Sequence, residues 1–292
     1  MATEARTVPR AAAPQRFNGR FFQQHVVPRI ILVGVCLLFL VPFYWMLVTA
    51  LKETRELTQF PPALLPVAWA WENFVAAIEF IDFPKLFTNS LVITTGVTIG
   101  AVISNTIVAY GFSRIRWPGR DFIFYVVVAT VFIPFPVIMV ALFDIFAKLG
   151  WVNTFNPLIV PAFFGNPFYI FLLRQFMLGI PHELSDAARV DGANEFQIFW
   201  RVILPLSLPA VVVVAIFAAI SAWNEFLLPL IYLQDEDKYP LSIGLALFTS
   251  THDVTFNLLM AASTLVVLPV VVAFVFFQRF FIEGITVGGV KG

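Results

Sequence analysis

Cysteine occurs once in the 292 residues, as Cys36 inside an apolar run, so the chain can form no internal disulfide, and a thiolate nucleophile is not expected at an apolar site. Charge is equally scarce. Asp, Glu, Lys and Arg make up 12% of the chain, against about 25% in an ordinary soluble domain. Eighteen basic residues balance 18 acidic ones, and that neutrality excludes the field expected of a nucleic-acid-binding protein. The three histidines, His25, His182 and His252, are scattered over separate segments, so no metal-ligand spacing and no catalytic triad emerges. The reading is of a chain that is not an enzyme and binds no metal or cofactor of its own.

Apolar residues are abundant. They form 60% of the sequence, with 34 Phe, seven Trp and 20 Pro. A soluble domain could not bury that much apolar surface, whereas a bilayer accepts both bulky side chains and proline-kinked helices. Windows free of Asp, Glu, Lys and Arg lie at 30–51, 86–113, 122–143, 149–173, 202–224 and 254–278. At 1.5 Å per residue each is long enough to cross a hydrocarbon core of about 30 Å. The expected fold is an all-α membrane protein of six transmembrane helices.

Orientation follows from the basic residues. Arg6, Arg10, Arg16, Arg20 and Arg29 precede the first window; Arg114, Arg116 and Arg120 follow the second; Arg174, Arg189 and Arg201 surround the fourth connection; Arg279 and Lys291 close the chain. On the other side fall only Lys52, Arg55, Lys85, Lys148 and Lys238. The positive-inside rule therefore puts both termini in the cytoplasm. The tail 1–29 is expected to be cytoplasmic, 30–51 an uncleaved first helix and 52–85 an external loop. A five-helix core follows over 86–282, and 283–292 forms a cytoplasmic tail. Acids in the external loops, among them Glu56, are expected to be solvated, and Trp69 and Trp71 to anchor the interface. Asp144 and Lys148, four apart, are expected to pair.

The segment 179–201 is the one long polar connection in the core, and it reads as two short helices. Pro181 suits a first turn, with Glu183 and Asp186 near the positive helix N-terminus. Leu184, Ala187 and Ala188 share one small apolar face. Gly192 is placed as a C-terminal cap, and Asn194 with Gln197 as a capping box opening a second helix. Arg189 and Asp191 either pair locally or face a partner. So short a helix is marginal alone in water, and its small-residue face invites docking.

These residues carry a resemblance. Asp186-Ala187-Ala188, Gly192 and Val202-Ile203-Leu204-Pro205 are spaced as in the loop written E-A-A-x3-G-x9-I-x-L-P of bacterial ABC-importer permeases, with Asp186 for Glu and Val202 for Ile. Asn89-Ser90-Leu91, Tyr110-Gly111-Phe112-Ser113-Arg114, Trp223-Asn224-Glu225-Phe226 and the ending from Gly284 to Gly292 resemble the maltose-type sugar permeases. The resemblance implies the permease fold of type I ABC importers, located in the inner membrane. It implies coupling to a cytoplasmic ATPase dimer through Glu183, Asp186, Ala187, Ala188, Arg189, Asp191, Gly192, Leu204 and Pro205. ATP and Mg would sit on that ATPase. A second, homologous permease subunit and an external solute-binding protein complete the expected partners, beside membrane lipid and without nucleic acid.

The tail residues Gly288, Gly289 and Lys291 either reach the ATPase or fray. The run from Gly284 to Gly289 imitates the start of a phosphate-binding loop but meets Val290 where a Lys is required. Asn105, Asn166, Tyr169, Asn224 and Glu225 are candidates for the solute pathway, because polar groups at membrane depth face a cavity or a partner. For Glu225 a structural bond at the end of the fifth helix is the competing reading.

Overall fold

The computed structural model describes residues 26–250 and 255–289, and no β-strand occurs among them. Helix α1 (Val27–Ala50) has proline in its first turn and buries only Val48, Thr49 and Ala50. The rest of its apolar surface faces outward, as suits a lipid solvent. It runs beside the final helix, which with α1 starts and ends the described chain.

The segment that follows contains α2 (Glu72–Phe80) and differs from the solvated loop expected of it. Lys52 and Glu56 are both buried. Their polar atoms are satisfied inside: Lys52 Nζ donates to the Ala63 carbonyl at 2.6 Å, and Glu56 Oε2 accepts from the Val67 amide at 2.9 Å. Asn73 Nδ2 donates to the carbonyls of Ala50 and Lys52, closing the cap over the end of α1. Trp69 and Trp71 remain exposed and stacked.

Helix α3 (Phe83–Ser113) is the central strut, 31 residues long and the most buried of the apolar helices. A Cβ built on Gly96 would lie 2.8 Å from Ile159, and one on Gly100 would lie 2.7 Å from Phe163. Those two glycines let the neighbouring segment pack directly on the α3 backbone, the close approach that small residues permit in lipid.

Two expected straight spans are sharply bent. Helices α4 (Arg120–Ala129) and α5 (Phe135–Lys148) meet at 98°, because Ile133 precedes Pro134 and takes an extended conformation with ψ 111°. The expected 149–173 span begins later, at α6 (Asn156–Ile159), passes through a 3-10 stretch to Gly165, and continues as α7 (Pro167–Leu178). After α8 (His182–Val190) and α9 (Glu195–Ile198) comes a π-helical turn at Phe199–Ile203, then α10 (Leu204–Leu206). The chain then turns by 77° into α11 (Leu208–Asn224). It finishes with α12 (Leu227–Tyr232), α13 (Leu241–Ser250) and α14 (Phe256–Gly289). Among the described residues, four helical runs are long and apolar enough to cross a membrane, six if each bent pair is one crossing.

Candidate functional site: the α8 coupling element

Helix α8 is bracketed by stop and start signals that the backbone uses in full. Pro181 is its N-cap, and Glu183 lies in its first turn. At the other end Gly192 has φ +83°. Its amide donates to the Arg189 carbonyl at 3.0 Å, and the Ala193 amide reaches back to the Ala188 carbonyl at 2.9 Å, the Schellman pattern. Immediately afterwards Asn194 and Gln197 exchange side chain-to-backbone hydrogen bonds of 2.9 Å each, a capping box. The turn between α8 and α9 is therefore defined by bonds at every residue.

Burial distinguishes the two sides of α8. Ser185 points inward, 1% exposed, while Leu184 and Val190 are exposed at 43% and 88%. Ala187 is exposed as well, and Ala188 packs on the cluster formed by Tyr110, Met177, Ile198 and Ile203. Most of the small apolar face read from the sequence is thus left open by this chain. Arg189 does not pair with Asp191. It bridges Asp186 at 2.7 Å and Glu195 at 2.9 Å. Leu204 and Pro205 lie in α10, on the arm leading to the 77° bend. The whole of α14 through Gly289 is helical, so Gly288 and Gly289 stand in a helix and not in a loop; Lys291 lies outside the described residues.

Two further side chains, to which the sequence assigned no role in the site, hold this element. Arg114, buried at the end of α3, donates through Nη2 to the carbonyls of Met177 and Ile180 and approaches His182 Nδ1 at 3.3 Å. A cation there answers the free carbonyls and the negative end of α7. Tyr110 donates to Glu195 Oε2 at 2.7 Å, and its ring meets Phe199 edge-on at 5.0 Å. The partners are 63 to 85 residues apart in the chain, so no local pattern announces them.

The pathway candidates fall in two separate places. Asn105, 0% exposed, accepts from the Asn166 amide at 2.6 Å, and Asn166 caps α7 by accepting from the amides of Phe168 and Tyr169. Tyr169 is half-buried against the cluster around Tyr110. At the far end of α11, Asn224 donates to the Ile220 carbonyl, and Glu225 Oε1 accepts from the amides of Leu227 and Leu228. For Glu225 the geometry favours the structural reading, a cap on α12. A cavity of about 360 Å³ opens between α3, α11 and α14, lined by Leu91, Thr94, Ile216, Trp223 and Pro269 among others; none of the five candidates lines it. Among the described residues no group of three His, Cys, Asp or Glu side chains is placed to hold a metal ion.

A bent, multi-pass helical chain with one exposed helix, closed by a glycine turn, between its fourth and fifth apolar runs has known relatives. The model of the family described as "Binding-protein-dependent transport system inner membrane component" matches residues 96–287. The chain belongs to that family. It is 34% identical over 281 residues to the arabinooligosaccharides transport system permease protein AraQ of Bacillus subtilis (strain 168), covering 95% of this chain and 99% of that one. It is 32% identical to the trehalose/maltose transport system permease protein MalG of Thermococcus litoralis, covering 92% and 99%. In fold it is similar to a chain of a bacterial ABC transporter involved in the import of the acidic polysaccharide alginate, with TM-score 0.79 and 24% identity over 91% of this chain and 100% of that one. As an inner membrane component of a binding-protein-dependent system, this permease is a multi-pass transport component and not itself the catalyst, and it works with a solute-binding protein.

Proposed function

We propose that this permease forms half of the translocation pathway of an ATP-driven importer for an oligosaccharide. In that reading α8 docks on a cytoplasmic ATPase dimer, which holds the ATP and Mg; the chain itself binds no cofactor. A second, homologous permease supplies the other half, and an external binding protein delivers the solute. Both termini are cytoplasmic in that reading, and the end of α14 at Gly288 and Gly289 lies on the ATPase side; Lys291, the third tail residue assigned to ATPase contact, falls outside the described residues.

The observation that carries the proposal is an exposed helix that is held at both ends. Leu184, Ala187 and Val190 turn away from the chain's own core, while Arg114 holds the entry at Ile180 and His182 and the Gly192 turn fixes the exit. A helix so held transmits displacement to the bundle instead of absorbing it. The sugar class is supported by the names of the full-length relatives, which transport arabinooligosaccharides and trehalose or maltose.

Reconstitution of the permease pair with its ATPase and binding protein in sealed vesicles tests the reading. Uptake of labelled oligosaccharide is expected only when ATP is present on the ATPase side. Uptake that proceeds equally without ATP overturns the importer reading, and a binding protein that prefers amino acids or peptides overturns the sugar assignment.

A further inference from the structure

Helix α8 is joined covalently to α7 and, through the bent arm of α9 and α10, to α11. It has no covalent link to α3, the helix with the largest buried share among the apolar runs and the one that packs against both α7 and α11. Noncovalently, however, α3 is tied to both ends of the element. Arg114 grips the chain as it enters, at Met177, Ile180 and His182. Tyr110, one turn earlier on α3, grips it as it leaves, at Glu195.

The second tie continues across the turn. Glu195 Oε2 accepts from the Tyr110 hydroxyl at 2.7 Å, while Glu195 Oε1 accepts from Arg189 Nε at 3.0 Å. The other edge of the same guanidinium donates through Nη1 to Asp186 at 2.7 Å. Four side chains thus run in series from the central strut to the middle of α8, and each link involves at least one ionised group. Such bonds are stronger and more directional than neutral ones. Ile198, 0% exposed, and the edge-on Phe199 ring keep the phenol from swinging away.

We infer that Tyr110 and Glu195 are positioning residues that lock α8 to α3, so that motion of the docked helix is delivered to the central strut directly and not only through the chain connections on either side. The inference deepens the coupling role proposed above and rests on it. Chemically, Glu195 is the shared acceptor. Without it, Arg189 retains only Asp186 on its own helix, and α8 is tied to α3 only at its entry, through Arg114.

The test uses the complete complex of permease pair, ATPase and binding protein in vesicles, with two readouts: ATP hydrolysed and labelled solute taken up per ATP. Tyr110→Phe removes one hydroxyl and no packing. It is expected to leave the complex assembled and hydrolysing ATP while solute taken up per ATP falls about tenfold, the scale of one charge-assisted bond. Glu195→Ala should match it or exceed it, and the double variant should be no worse than Glu195→Ala alone, since both break one series. Should Tyr110→Phe fail to assemble, Glu195→Gln, at a side chain 47% exposed, is read on the same scale. Wild-type stoichiometry in these variants, or losses that multiply in the double variant, overturns the lock. If the unsubstituted complex needs ATP and the variants couple normally, only the lock falls; if the unsubstituted complex ignores ATP, the importer reading falls with it.

Discussion

Gly192 does a job that its neighbours in the Periodic pattern of α8 cannot share. Its φ of +83° lies in the left-handed region, and a Cβ built there meets nothing within 4 Å. The barrier to substitution is therefore conformational and not steric crowding. An L-residue in that region costs about 1–2 kcal/mol, and a β-branched one more. Gly192→Val is expected to misdirect the start of α9 and uncouple ATP hydrolysis from uptake, whereas Gly192→Asn, whose residue type visits the left-handed region, should retain most of both. Equal uptake by the two variants, measured in reconstituted vesicles, would show that the turn does not matter. This residue was legible in advance, because a helix stop and the Asn194 start lie within a few positions of each other. Arg114 was not. It reads as one more basic residue at the end of an apolar run, and only the fold brings the Met177 and Ile180 carbonyls, over 60 residues away, to its guanidinium.

At the scale of elements, α3 carries two glycines of different character. Gly100 faces the segment Val160–Phe164, and a Cβ there would lie 2.7 Å from the Phe163 ring and 3.2 Å from the Ala162 Cβ; Gly111, further along the same helix, faces nothing within 4 Å. Gly100→Ala is expected to destabilise the protein by about 1–3 kcal/mol through overpacking. Gly111→Ala should be neutral or slightly stabilising, since alanine is the better helix former. Thermal unfolding in detergent distinguishes them, and equal melting temperatures would refute the close approach. Apolar runs of membrane length made the helices themselves legible, but not their bends. Proline is common in spanning helices, so Pro134 did not announce the 98° turn, nor Pro205 and Pro209 the 77° turn between them. Burial of Lys52 and Glu56 was likewise hidden, because it depends on the Ala63 carbonyl and the Val67 amide folding back over them.

Across the whole molecule, distant loops are stitched together at the end opposite α8. Asn153, with φ +63°, accepts from the amides of Gln234 and Asp235, and its Nδ2 donates to Asp235 Oδ2 at 2.6 Å. Lys238 donates to the same oxygen at 2.9 Å. The Lys238 ammonium first, and then the Asn153 amide, hold the Asp235 carboxyl below its ordinary value of 3.8. A lowered carboxyl contributes above the ordinary value and loses its contribution as pH falls through the lower native one. Protection of the Gln234 amide from hydrogen exchange is therefore expected to decline from about pH 4 downward. In Asp235→Asn that decline should be absent, and the same profile in both proteins would refute the assignment. At the other end of the molecule, the bend at Ser207 has a mechanical consequence. The twelve residues Glu195–Leu206 make an arm about 18 Å long at 1.5 Å per residue, set crosswise to α11. Turning that arm by about ten degrees about its elbow sweeps its tip through about 3 Å, so the geometry works as a crank: modest torque where α11 begins becomes travel at the α8 end, and the reverse.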